Sequence, residues 1–297
     1  MSKFGSLAFR YLFQAGDYMR LRKMKQDLSD LSINSDIRYL PGKDRGHLFD
    51  VIKLNDNPAD APLFINVHGG GLFASYKEVN ANFNYEMARM GFNVVTISYR
   101  RVPDVKLIDQ IGDVMAALSY INDNAKELGI STENVYISGD SAGALLAFFA
   151  MSINNSRELQ KAFEIAPTGL VFKAAAFISI MLDTQRKDIM MVLNDVVTDD
   201  EDKGKEYEKY LLDPVTLLDV SEPCPIIMIT GKQDLIQKDT LKLSMALEEK
   251  GTKTMLMNFP KGKERKLDHV FSVKFPKWPE SRDVENGIKD FLLEEEK

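Results

Sequence analysis

The chain has 297 residues, 44% of them hydrophobic and 28% charged, with 44 acidic against 38 basic side chains and a formal net charge of −6. That composition is ordinary for a globular protein long enough for one large core with an insertion, and the absence of a basic stripe interleaved with aromatics disfavours a nucleic-acid partner. The one cysteine, Cys224, excludes an intramolecular disulfide and suits a reducing compartment; between Pro223 and Pro225 it reads as a packed small side chain rather than a nucleophile.

Residues 7–13 are apolar but interrupted by Arg10, and Arg20, Arg22, Lys23 and Lys25 follow soon after. They lack the unbroken apolar stretch and cleavage site of a signal peptide. No apolar run of about 18 residues occurs anywhere, so a cytoplasmic protein without stable membrane insertion is expected.

Next come two strand-like runs, 35–40 and 48–54, expected to pair antiparallel around the Pro41-Gly42 turn. Apolar runs at 63–67, 92–98, 134–138, 173–180, 226–230 and 254–259 read as core strands. Helical patterns cover 82–90, 108–128, 142–153, 239–250 and 280–293. Such alternation predicts a mainly parallel α/β sheet with helices on both faces. Two stretches do not fit it: the N-terminus to about Leu31, and residues 181–222, rich in Met190, Met191, Val192, Leu193, Leu211 and Leu212. Both fall where a lid over a site would lie, and methionine and leucine would give such a lid an adaptable apolar wall. The acidic runs at 199–202 and 294–296 are expected to be solvated faces.

The chemistry concentrates at Gly139-Asp140-Ser141-Ala142-Gly143, between the strand-like 134–138 and the helix-like 144–151. A strand-to-helix elbow this tight leaves no room for side chains two residues either side of the serine. It holds the hydroxyl out at the sheet edge, where the following helix points its N–H groups and positive dipole end. Such a corner suits a nucleophile whose product is an oxyanion.

Upstream, His68-Gly69-Gly70-Gly71 follows the strand 63–67 directly. Three glycines in a row would let bare N–H groups turn toward a reacting carbonyl oxygen, together with the Ala142 N–H; one such donor is worth about 3–4 kcal/mol of barrier. No Gly-Lys-Ser/Thr or dinucleotide spacing supports a phosphate loop instead.

Only three histidines are present. His47 precedes an alternating run and is expected at the surface or a strand edge. His68 opens the glycine loop and is expected to orient it. His269 follows the last core strand and, by elimination and position, is the expected general base, neutral when it takes the serine proton. Asp234, just past the strand 226–230, is the favoured carboxylate to orient that imidazole. Asp239 and Asp268 are its rivals, the first inside the next helix and the second badly aimed because it adjoins the histidine.

With those residues in view, the chain resembles the hormone-sensitive-lipase-like esterases and lipases of the α/β-hydrolase fold. The resemblance runs from about Asp60 to the C-terminus. It rests on His68-Gly69-Gly70-Gly71, Tyr99-Arg100 with Pro103-Asp104, Gly139-Asp140-Ser141-Ala142-Gly143, Asp234-Leu235, and His269 with Phe271. It implies a mostly parallel eight-stranded sheet, a catalytic core of 33–180 and 223–297, and a helical cap of 1–32 and 181–222. It further implies Ser141 as nucleophile, Asp234 and His269 as the rest of a triad, and Gly70, Gly71 and Ala142 as oxyanion donors, with no metal or cofactor. The chain departs from the family where Tyr-Arg-Leu-Ala-Pro-Glu is replaced by Tyr99-Arg100-Arg101-Val102-Pro103-Asp104, where Asp-Pro-Leu becomes Asp234-Leu235, and where His-Gly-Phe becomes His269-Val270-Phe271. None of these removes a reacting group.

The expected activity is therefore that of a serine carboxylesterase acting on a small-molecule ester, with short acyl chains implied by the resemblance and self-association left open. An amidase, arylformamidase or deacetylase would use the same triad. A non-catalytic receptor and a peripheral lipase are further alternatives.

Overall fold

The computed structural model describes residues 16–17, 19–185 and 197–294. The apolar stretch 7–13, the Met190–Leu193 run and the last three residues lie outside them. Eight strands form one sheet: β1 Leu31–Arg38, β2 Leu48–Leu54, β3 Leu63–Val67, β4 Asn93–Ile97, β5 Val135–Asp140, β6 Phe172–Ile178, β7 Ile226–Gly231 and β8 Thr254–Phe259. Their spatial order is β1-β2-β4-β3-β5-β6-β7-β8. The first two strands run antiparallel to their neighbours, and all other pairs are parallel.

Beyond the helical N-terminal residues 19–23, the helices among the described residues are α1 Ala81–Arg89, α2 Leu107–Asp123, α3 Ala125–Leu128, α4 Ala142–Asn154, α5 Arg157–Phe163, α6 Glu208–Leu212, α7 Gln237–Glu249, α8 Phe271–Lys274 and α9 Pro279–Glu294. Strand side chains alternate between two apolar layers. Leu63, Ile65 and Val67 of β3 join a cluster with α2, α4 and α7, while Phe64 joins another with α1 and α9. A sheet covered on both faces explains why β3 reads as an unbroken apolar run. Helix α4 is apolar all round because every residue from Ala142 to Ile153 is buried.

Several expectations need correction. The first strand begins at Leu31 and ends at Arg38, so the expected cap boundary at 32 cuts into the sheet. Its register slips between Asn34 and Ile37, where Asp36 sits at φ +59° and its N–H donates to the Asp50 carboxylate at 2.7 Å. That irregularity breaks the alternation a strand would otherwise show. His47 is buried rather than superficial, its Nε2 3.3 Å from Asp113 on α2, whose carboxylate also grips Arg100. Helix α5 adds to the predicted helices. The cue was there: Ser156 caps it by accepting the Leu159 N–H, and Leu159, Ala162 and Phe163 recur at helical spacing. Within the expected cap segment 181–222, Tyr210, Leu211, Leu217 and Leu218 pack into the same apolar layer as α4. Cys224 lies half-buried with its sulfur 3.4 Å from that of Met151.

Candidate active site

Parallel strands end together, so the loops after β3, β5, β7 and β8 meet at one rim of the sheet. Ser141 stands at the turn from β5 into α4 at φ +51° and ψ −119°, a region costly for any side chain except glycine's. Its backbone is fixed on both sides: the N–H donates to Ile178 O at 2.9 Å, and the carbonyl accepts from Met181 N at 3.1 Å. The flanking glycines are a steric necessity. A Cβ on Gly143 would lie 2.1 Å from Val67 O, and one on Gly139 would lie 2.5 Å from the Gly143 carbonyl carbon. The helix therefore starts hard against the end of β3, with its first N–H groups beside the serine.

His269 Nε2 lies 2.9 Å from Ser141 Oγ, and His269 Nδ1 lies 2.9 Å from Asp234 Oδ1. Asp234 is further held by the Ile236 N–H at 3.0 Å and the Thr230 hydroxyl at 3.2 Å. Burial works to raise its pKa, but the hydrogen bond from His269, that ring's charge, and donors from Ser179 and Ile236 outweigh burial and hold it below the ordinary value. The rivals are elsewhere engaged. Asp239 accepts the N–H groups of Leu182 and Asp183 in the first turn of α7, and Asp268 faces Lys274 at 3.6 Å.

The meeting of Asp234 and His269, 35 residues apart in the chain, has a visible backbone cause. An isolated parallel bridge pairs Gln233 with Asp268, the residues immediately before them. The Gln233 side-chain oxygen also accepts from Gly262 N at 2.9 Å and Leu267 N at 3.3 Å, stapling the histidine-bearing loop to the end of β7. Nothing in the sequence singled out Gln233.

The glycine loop reaches the same rim. Gly70 and Gly71 adopt φ +123° and +61°, and among the described residues neither N–H has a hydrogen-bond partner. The Gly69 N–H donates to Asp140 Oδ1 at 2.8 Å. His68 is wholly buried beneath the loop. Its Nδ1 is 2.6 Å from Gly69 O, its ring stacks on Tyr99 with centroids 4.4 Å apart, and the Tyr99 hydroxyl donates to His68 O at 2.9 Å. Burial pulls its pKa down to about 4, so the ring is neutral at pH 7.

Ser141, His269 and all three loop glycines line a pocket of about 90 Å³, with Asn80, Asp140, Asp17 and Arg20 among the other walls. Arg20 belongs to the helical N-terminal residues 19–23. It is held at the pocket wall by donating to Lys274 O at 3.1 Å, Val79 O at 3.3 Å and Asp17 at 3.2 Å. Of these walls, Asn80, Asp17 and Arg20 carry no sequence signal, because only folding brings them here. Among the described residues no group of three histidine, cysteine or carboxylate side chains is arranged to hold a metal, and no helix is long and apolar enough to cross a membrane.

A family model described as BD-FAE matches residues 49–249, a span that includes the glycine loop, Ser141 and Asp234 and stops short of His269. Esterase LipQ of Mycobacterium tuberculosis is 33% identical over 139 residues, 46% of this chain and 33% of that protein. The probable carboxylic ester hydrolase LipM of the same organism is 28% identical over 185 residues, 60% of this chain and 42% of that protein. The chain thus matches between a third and about two fifths of the length of these relatives. Among solved structures, esterase B of Lactobacillus rhamnosis superposes with a TM-score of 0.90 at 22% identity, covering 98% of this chain and 96% of that one.

Proposed function

The chain belongs to the BD-FAE family and has the α/β-hydrolase fold; on that premise we propose that it is a serine carboxylesterase. The observation that carries this reading is the relay of 2.9 Å contacts from Asp234 through His269 to Ser141. With the Nδ1 proton directed at Asp234, Nε2 accepts the Ser141 hydroxyl and can take its proton as Oγ attacks an ester carbonyl. The carbonyl oxygen becomes an oxyanion facing the N–H groups of Gly70, Gly71 and Ala142, donors that strengthen as charge develops. His269 then gives its proton to the leaving alcohol, and water, activated by the same ring, releases the acid from the acyl-enzyme. His68, neutral and tied to its own loop, orients the glycines rather than moving protons.

The pocket of about 90 Å³ around Ser141 supports a short acyl group as the part held next to the serine. Arg20 and the residues near it act as part of a cover over the site, and a cytoplasmic setting accords with the single cysteine.

The test is hydrolysis of short aryl esters beside matched anilides and N-formyl compounds, together with labelling by an organophosphonate. The expected result is ester turnover in excess over the amides and one phosphonate per chain on Ser141. Ser141→Ala should lose roughly 10⁶-fold in kcat and all labelling while keeping its thermal unfolding profile. Amide turnover exceeding ester turnover, or an unlabelled Ser141, would overturn the reading.

A further inference from the structure

The serine pocket borders a much larger cavity of about 980 Å³; Asp17, Ser75 and Val79 line both. That is room for a whole small-molecule group beyond the scissile bond. Its charge is opposite in sign to the chain's. Arg22, Lys25, Arg45 and Arg101 face two carboxylates, Asp17 and Glu78, in a protein of net charge −6.

Both carboxylates are already engaged by cations of their own. Asp17 accepts from Arg20 at 3.2 Å and from the Ser75 hydroxyl at 2.8 Å, and Glu78 pairs with Lys77 at 3.0 Å and Arg45 at 3.1 Å. Among the described residues neither Arg22 nor Lys25 has an ion-pair partner. The Tyr76 ring lies between two guanidinium groups, Arg101 at 4.1 Å and Arg45 at 4.8 Å from its centroid. A ring so placed holds both cations at the cavity wall. Arg101 stands where the Tyr-Arg-Leu-Ala-Pro-Glu pattern has an apolar leucine, so the cavity's charge arises partly at a departure of this chain from the resembling family.

Gathering like charges at a recess costs self-repulsion that an arriving anion relieves, and a cleft of one sign concentrates ligands of the other. We propose that this cavity is a binding subsite for an anionic group, a carboxylate or phosphate, carried by the ester away from its reacting carbonyl. The inference rests on the esterase reading and narrows its substrate class.

The experiment uses the full chain and pairs of esters that differ only in charge. On the acyl side these are 4-nitrophenyl hydrogen adipate against its methyl-capped diester. On the alcohol side they are 3-acetoxybenzoic acid against its methyl ester, with 3-acetoxyphenyl phosphate as the phosphate arm. In at least one set the anionic member is expected to show a kcat/KM about tenfold or more above its neutral partner at low salt, the scale of one charge-assisted hydrogen bond. That ratio should shrink as ionic strength rises from about 0.01 M to about 1 M. It should fall toward one in Arg101→Gln and further in the double variant with Arg22→Gln. Comparison of the benzoate and phosphate arms identifies which anion is favoured, and either supports the subsite.

Equal or lower kcat/KM for every anionic member at low salt overturns the inference, as does a preference that both substitutions leave intact. The two readings fail separately. If Ser141 takes the phosphonate and neutral esters turn over without any charge preference, only the subsite is lost. An unlabelled Ser141 removes the esterase reading itself.

Discussion

The carboxylate of Asp140, the residue before Ser141, accepts the backbone N–H of Gly69, the first glycine of the loop after β3, at 2.8 Å. The same oxygen accepts the Asn80 side-chain amide at 2.6 Å, and that amide also donates to Asn66 at 2.9 Å. A single buried carboxylate thereby ties the serine elbow to the glycine loop. Burial pushes its pKa up, with the two donors pulling against that. This side chain is one of the contacts that hold the glycine loop against the serine elbow, beside the close approach of Gly143 to Val67 O.

Asp140→Ala should therefore strand two buried donors, at about 1–3 kcal/mol each, and free the glycine loop. The expected outcome is a lower denaturant midpoint and a fall in kcat that exceeds any rise in KM, because the donors matter most when charge develops. Asp140→Asn keeps one acceptor oxygen and should recover most of the stability. Equal losses in the two variants would contradict a positioning role.

Asp234→Asn should lower kcat by about 10⁴-fold with KM little changed, since an amide favours the wrong tautomer of the His269 ring. Because the Asp234 carboxyl is held below its ordinary value, the stability it contributes is present above the ordinary carboxylate range and fades as pH falls. The acid limb of a stability-pH curve should be shallower in the variant. Steady-state kinetics and denaturant titrations from neutral to acid pH check both halves.

His68 gives the same sign from a different group. Its pKa falls from 6.5 unfolded to about 4 folded, so between those values the unfolded chain binds the extra proton. Stability should drop as pH falls through that window, by something of the order of 3 kcal/mol. His68→Gln cannot take up that proton and should flatten the dependence, measured as denaturant midpoints across the window.

Glu285 on α9 should act in the opposite direction. It is fully buried, and that burial lifts its pKa to about 8, against the pull of the Arg282 guanidinium at 2.8 Å and with a push from neighbouring Glu86. An acid whose folded value is raised stabilises fully below its unfolded value of 4.5 and loses that contribution as pH climbs through 8. Glu285→Gln, a neutral mimic of the protonated form, should match the native protein in mild acid and exceed its thermal midpoint above pH 8.

How much of this was legible beforehand follows from the range of each cause. The strands β3 and β7 and the elbow at Ser141 could be read locally. A strand buried on both faces must be apolar throughout, and a corner pressed against β3 must have glycine at 139 and 143. The candidate trio could be named because strand ends at one rim and the chain order of three residue types leave few choices. Helix α5 and the slip at Asp36 differ from the predicted elements for local reasons, the Ser156 cap and a broken alternation. The burial of His47, just before β2, has a distant cause, the reach of Asp113 from α2.

The sequence by itself determined the apolar strands of the sheet and the glycine-flanked serine corner, because those depend on neighbours within a few residues. Only the tertiary structure decided that Gln233 staples the loop of His269, that Asp140 clamps Gly69, and that Arg20 borders the serine pocket and Arg101 the larger cavity beside it. Those contacts join segments far apart in the chain. Their partners are chosen by where packing leaves buried polar groups in need of a bond, and no local pattern records that.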